Sequence, residues 1–445
     1  MSAIRRAACS AGCNMRSLPR RGSARSSRKT CSGTRPSAST CRAAGAPEAP
    51  GEADRMATDM RPPIVPAGLD HDVVYRREDE FCSWPFTSGF WENGDGTLIA
   101  NFMTRNVSYD SGDAIRHDVL GQNSSNPRTV TVRSHDRGLT WDGEDPQYNM
   151  MAGPGGGGET LDPAQMATSF DGPVDYRDPN VLLSSGSMGG FATASTRATA
   201  KLSRDGGRSW GETILVPLEN LPSLTGIQST LVRPDGRMLM FLFSVEPDNT
   251  RRRPLVYGSA NGGREFHFMN YIVPEEDPWG NADGDYDDPS VAFVGHRWFY
   301  PRGYMLPDGR IICVIRCQRD PTGVMWSELY SSDDGGRTWG FLSRINDFGA
   351  PASLVVMPDG RVVAIYGYRL KPSGIRARVS EDGGRTWGRE LIVRDDGGSW
   401  DLGYPNVWHV EGSTVGALYY FNSKHDPVQA NGGVRHVARS IFSID

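Results

Sequence analysis

Residues 134–141 read SHDRGLTW, and the same eight-residue pattern returns as SRDGGRSW at 203–210, SDDGGRTW at 332–339 and SEDGGRTW at 380–387. A worn copy, SANGGREF, occupies 259–266. Successive copies are 69, 56, 73 and 48 residues apart, the length of a small sheet rather than of one hairpin. The chemistry of the pattern is that of a tight turn. The Asp at its third position can accept nearby backbone N–H groups, and the Gly at its fifth tolerates positive φ. Ser and Thr satisfy further polar groups, while the Trp closes the turn with a large apolar face.

A second signal precedes most copies. Asp95-Gly96 stands before LIANF, Asp235-Gly236 before MLMFLF, Asp308-Gly309 before IICVI and Asp359-Gly360 before VVAIY. Asp-Gly between apolar runs marks a hairpin. From this Asp to the third position of the following box is 26, 26 and 23 residues in the last three pairs, room for three strands. Each unit is then a small antiparallel sheet that cannot bury both faces alone, and radial stacking solves that problem. Six units are expected. Five carry boxes, the second having VLLSSGSMGGFATAST in place of an Asp-Gly turn; the sixth runs from Tyr404 to Ile444 without a box. Its missing outer strand is expected from HDVVYRR at 71–77, closing the ring. The expected fold is all-β, a six-bladed β-propeller over 69–445.

Composition agrees with short strands and turns: 53 Gly, 30 Pro and no run of about 18 apolar residues that would cross a membrane as a helix. Residues 1–47 hold nine Arg and one Lys with no acid, whereas 61–445 hold 37 Lys and Arg against 49 Asp and Glu, a net of −12. An acidic globular part argues against nucleic acid as a partner. Residues 1–60 read as a disordered Arg/Ser-rich tail: a transit-like leader, or an over-extended start with Met56 or Met60 as initiator. No apolar stretch follows the basic residues as in a secretory signal, so the cytoplasm is the expected compartment, with organelle import if the tail is genuine. Cys313 and Cys317 lie too far apart along one strand for a disulfide and, with Cys82, read as buried apolar residues. No metal site or cofactor is expected; the alternating acids at 281–288 only loosely follow a calcium loop, and the Gly155–Gly158 run lacks the ending of a phosphate cradle.

The boxes resemble the Asp-box (BNR) repeats of sialidases and their relatives, over about residues 70–445. In that family the boxes stand away from the substrate pocket, so their acids are structural. The resemblance implies a Tyr nucleophile, Arg residues clamping a sugar carboxylate, and an acid in the loop after the first blade's inner strands. The matching positions are Tyr404 for the nucleophile and Arg316 for one clamp residue. Arg376 in IRARVS is chosen for another, with Arg369 behind it. The loop NVSYDSGDAIRHDVL leaves Asp110, Asp113 and Asp118 open as the general acid, Asp113 standing for them, with Arg105 and His117 as substrate-binding neighbours.

Two positions depart from the family pattern. Ser83-Trp84-Pro85 occupies the place of an Arg-Ile-Pro start, and Tyr300 stands where a Glu would partner the nucleophile. The resemblance therefore points to the broad sialidase-related group rather than to true sialidases, a group to which WDLGYP at 400–405 is also similar. It implies a glycan-active enzyme, most simply an exo-glycosidase releasing a terminal acidic sugar. The alternatives are a propeller that binds glycan or protein without turnover, and glycan cleavage by another apparatus. Some relatives use His or Tyr for rhamnosidic cleavage or uronate lysis, which makes His117 and His409 residues of interest.

Overall fold

A computed structural model describes residues 59, 61–117, 120, 122–150, 162–190, 192–247, 252–273, 297–318 and 324–445. The leading tail up to residue 58, the glycine run at 155–158, Asp118 and the acidic stretch at 281–288 lie outside them. The described residues form six antiparallel sheets, the blades of a propeller. β1 (Asp70–Tyr75) comes first in the chain but belongs to the last blade. Blade 1 contains β2 (Glu80–Ser83), β3 (Phe90–Glu92), β4 (Leu98–Asn106), β5 (Ser125–Ser134) and β6 (Gln147–Met150). β2 and β3 both pair with β4 and are separated by α1 (Pro85–Ser88), so the innermost strand of this blade is interrupted.

Blade 2 has β7 (Leu182–Met188), β8 (Arg197–Ser203) and β9 (Thr213–Leu215). Blade 3 runs β10 (Ser229–Val232), β11 (Met238–Val245), β12 (Arg252–Ala260) and β13 (Glu265–Tyr271). Blade 4 runs β14 (Arg297–Met305), β15 (Ile311–Gln318), β16 (Met325–Ser332) and β17 (Gly340–Arg344). Blade 5 runs β18 (Ala352–Val356), β19 (Val362–Tyr368), β20 (Gly374–Ser380) and β21 (Leu391–Arg394). Blade 6 joins β22 (Gly403–Glu411), β23 (Thr414–Phe421) and β24 (His436–Ser443) to β1, which pairs with β24 from Asp70↔Ile441 to Tyr75↔Val437. The expected closure by residues 71–77 is therefore how the ring shuts.

The Asp-Gly signals are the tips of β3–β4, β10–β11, β14–β15 and β18–β19, with Gly96, Gly236, Gly309 and Gly360 all at φ between 81° and 89°. The eight-residue boxes turn the chain into the last strand of their blades. In the first, Ser134 Oγ donates to Asp136 Oδ1 (2.8 Å) and accepts from the Gly138 amide (2.7 Å). Thr140 donates its amide to Asp136 Oδ1 (2.9 Å) and its hydroxyl to Oδ2 (2.6 Å). The same four bonds recur around Asp205, Asp334 and Asp382.

Each box also packs on the blade before it. Trp141 meets Trp408 of blade 6 edge-on at 5.8 Å, Trp210 lies 5.6 Å from Trp91 of blade 1, and Trp339 stands edge-on to Phe241 of blade 3. Trp387 donates to Ser343 Oγ of blade 4 (3.0 Å). The Trp of the repeat is thus a wedge between blades, a role for which its area suits it. Apolar clusters fill the interfaces, for example Leu239, Phe241 and Val256 of blade 3 against Ile311, Cys313 and Ile315 of blade 4. Cys82, Cys313 and Cys317 are buried. Among the described residues no helix is long and apolar enough to cross a membrane.

Candidate active site

Three blades present an aromatic residue followed by proline on their inner side: Trp84-Pro85 where β2 gives way to α1, Tyr300-Pro301 in β14 and Tyr404-Pro405 in β22. Each aromatic has left-handed backbone, φ 53°, 55° and 54°. In β14 and β22 the pairing register slips at these points, between Phe299 and Arg302 and between Gly403 and Asn406. A bulge of this kind re-aims a side chain. For bulky L-residues such backbone costs about 1–3 kcal/mol each and persists only where the surroundings impose it. Gly403 shows the imposition: at φ 102° its Cα approaches Gly367, and an added Cβ would stand 2.8 Å from the Gly367 Cα.

The aromatics converge with Phe86, Ala192, Phe243, Phe299 and Tyr420 in one buried cluster. Two positions after each aromatic comes a second layer, Phe86, Arg302 and Asn406. Arg302 lies 3.8 Å over the Phe86 ring and donates to Asn406 Oδ1 (2.9 Å) and Ser353 Oγ (2.8 Å); Asn406 donates to the Pro85 carbonyl (2.9 Å). This layer plugs the axis. Beyond it lies a cavity of about 820 Å³ lined by Gln228, Arg302, Asn406, Trp408 and His409 among others. Tyr404 and Arg316 do not line that cavity, so the axial space and the Tyr404 cluster are separate places.

On the aromatic side, Arg316 near the end of β15 donates Nη1 to the Tyr404 hydroxyl (2.7 Å) and its other amino group to Gln318. The hydroxyls of Tyr404 and Tyr300 are 3.3 Å apart. Arg369, just past β19, lies 5.6 Å from the Tyr404 ring and 5.1 Å from that of Trp400. Burial by itself raises the Tyr404 phenol, but the Arg316 and Arg369 guanidiniums and the bond to Tyr300 outweigh it, and the net direction is down. Tyr300 goes the other way, raised by burial and then by the charge that Tyr404 would carry on ionising. The Tyr404 hydroxyl donates to that of Tyr300, and the two phenols are pushed in opposite directions, Tyr404 down and Tyr300 up.

A buried carboxylate completes the cluster. Asp401, three residues before Tyr404, accepts from the Tyr420 hydroxyl (2.6 Å) and meets His117 Nδ1 at 3.2 Å through the same oxygen. Its other oxygen lies 3.6 Å from Arg435. Burial opposes its charge, but His117, Arg435 and the Tyr420 bond hold it well below the usual carboxylate range. His117 itself is 39% exposed, with Trp84 at 5.4 Å and Trp400 at 6.0 Å.

The loop after β4 is pinned by Ile115, which packs with Phe81 and Leu120, and by Tyr109, which donates to the Glu80 carbonyl (2.9 Å) and accepts from the Arg435 amide (2.9 Å). That pinning delivers His117 to the site. Asp113 and Asp110 lie exposed on the same loop, Asp110 accepting from Ser108, and Arg105 is half-buried at the end of β4. Arg376 is held elsewhere, donating to the carbonyls of Ile375 and Arg394 and lying 4.7 Å over Tyr368. His409 bonds the Gly412 carbonyl at the far end of β22. The structure thus gathers Tyr404, Arg316 and His117, and adds Arg369, Asp401, Tyr420 and Tyr300. The repeated aromatic-Pro dipeptide would have found Tyr300 and Trp84, and Asp401 stands inside WDLGYP.

The fold has solved counterparts. A protein of unknown function from Dyadobacter fermentans is similar over 85% of this chain and 100% of its own, at 21% identity and a TM-score of 0.60, which shows the shared fold. An α-L-arabinanase from Penicillium chrysogenum aligns over 84% of this chain and 98% of its own (13% identity, TM-score 0.49). A Trypanosoma rangeli sialidase aligns over 85% and 60% (13%, 0.47). No protein-family model and no curated protein matches the chain.

Proposed function

We propose that this propeller is a glycan-active enzyme of the sialidase-related kind, an exo-glycosidase that hydrolyses a terminal acidic sugar with retention. The observation that carries the reading is the Tyr404 hydroxyl, bonded by Arg316, flanked by Arg369 and biased toward ionisation. A phenol becomes a nucleophile when something lowers its pKa. Here two guanidiniums do what a carboxylate base does in other Tyr-dependent sites. Arg316 and Arg369 are also fork-shaped, multi-donor cations, and guanidinium geometry recognises a sugar carboxylate well. Trp84 and Trp400 offer apolar faces at the rim for a sugar ring. The four regular turns, with their shared bond pattern, support reading them as Asp boxes, and this role leaves their acids outside the chemistry.

A second reading is favoured by Tyr300, which stands in place of a carboxylate base: a propeller that binds acidic glycan without turnover. A panel of aryl glycosides of sialic and uronic acids separates the two. Wild type is expected to release the aryl group from at least one. Tyr404→Phe, which keeps ring and packing, is expected to lower kcat/KM more than about 10³-fold. Binding of the glycan without release supports the second reading, and turnover indifferent to Tyr404→Phe removes that residue from the mechanism.

A further inference from the structure

We propose that the proton donor and acceptor of this site is His117, oriented by Asp401, and not a carboxylic acid; the inference rests on the glycosidase reading above. Asp401 Oδ1 takes bonds from the Tyr420 hydroxyl and faces His117 Nδ1, and the Asn422 side chain bonds its backbone carbonyl at 2.7 Å. A carboxylate so placed offers only lone pairs. The proton between it and the imidazole therefore belongs to Nδ1, which leaves Nε2 as the nitrogen that exchanges protons. Trp84 and Trp400 flank the ring, and its partial exposure puts it at the mouth of the cluster.

Among the described residues, the carboxylates nearby are unsuited to the task; Asp118 lies outside them. A general acid must hold its proton near the working pH. Asp401 is kept ionised by His117, Arg435 and Tyr420 against the opposing effect of burial. Asp110 and Asp113 lie exposed on the loop, Asp110 turned back to accept from Ser108. Imidazole is the side chain that exchanges protons near neutrality.

The step balances with groups already described. Phenolate Tyr404 with imidazolium His117 has the same net charge as the neutral pair. The Nε2 proton passes to the glycosidic oxygen as the bond from the anomeric carbon to that oxygen breaks with its electron pair left on the oxygen, and the Tyr404 oxygen forms the new bond to the anomeric carbon. Water then attacks the anomeric carbon and gives a proton to Nε2, and the bond from Tyr404 to that carbon breaks with its electron pair returning to the phenolate.

Two measurements on the full chain test this. In ¹⁵N-histidine NMR the neutral His117 ring, assigned by its loss in His117→Gln, is expected to carry its proton on Nδ1; an Nε2–H tautomer overturns the pairing. In kinetics, aryl glycosides of the same sugar are compared with methylumbelliferyl and 2,4-dinitrophenyl leaving groups. His117→Gln is expected to slow the first about 10²–10⁴-fold and the second less than about tenfold, because a good leaving group needs no proton. Equal losses with both overturn the role of His117 while leaving the glycosidase reading in place. No release from any aryl glycoside by wild type overturns that reading and the donor role with it, and the NMR tautomer then decides the His117–Asp401 pairing by itself.

Discussion

Arg316 and Arg369 occupy corresponding places, at the ends of the second strands of blades 4 and 5, eight and ten residues past their Asp-Gly aspartates. That likeness of position, at the end of the strand that follows each Asp-Gly turn, is visible in the sequence and points to Arg369, whereas Arg376 lies one strand further out, where its guanidinium meets backbone carbonyls. The difference is testable. Arg369→Gln is expected to raise KM for an acidic glycoside about 10–100-fold, the worth of a charged hydrogen bond, while Arg376→Gln leaves KM near wild type. Equal effects of the two substitutions would argue that neither guanidinium touches the sugar. Tyr404 was legible from its place at the head of the last blade. Asp401 was not, because its importance comes from His117, 284 positions away in the chain, and from the buried Arg435.

At the scale of the element, the boxes are where sequence and structure agree most closely, since the four bonds that shape each turn span no more than four residues. Their acids also tie stability to pH. Ser209 holds Asp205 at about 2 through its hydroxyl and amide. Asp334 feels burial pushing it up, but Thr338 and Ser332 bring it to about 2 as well. A carboxylate lowered by folding contributes stability that is fully present above its unfolded value, near 3.9, and is lost as pH falls through the folded one. Urea midpoints of wild type are therefore expected to drop between about pH 4 and pH 2, and Asp334→Asn to flatten that limb while lowering the midpoint at pH 7. The wedge can be tested separately. Trp387 is 2% exposed against blade 4, and Trp387→Ala is expected to cost about 3–5 kcal/mol in denaturant unfolding, as for other buried aromatics. A cost under about 1 kcal/mol would mean that the blades do not depend on this contact.

For the whole molecule the decisive event is closure. β1 covers the edge of β24, the Ser443 amide bonds the Ala67 carbonyl (3.0 Å), and Ile64 bridges onto Leu391 of blade 5. Trp408 locks the same seam from inside, stacked on Phe90 at 5.7 Å and donating to the Arg137 carbonyl (2.8 Å). Removal of residues 1–75 exposes β24 as a free edge, and such a chain is expected to unfold at lower temperature and to self-associate on size-exclusion chromatography. A monomer with unchanged Tm would show that the seam at Trp408 suffices. By itself, the sequence determined the six units, the two kinds of turn and the strand that shuts the ring, because those depend on Asp, Gly and alternating apolar residues acting over a few positions. Only the tertiary structure decided which polar groups meet at the axis. The plug of Phe86, Arg302 and Asn406 and the pairing of His117 with Asp401 join residues from different blades. Their spacing along the chain carries no trace of their distance in space, which is set by how the blades close around one centre.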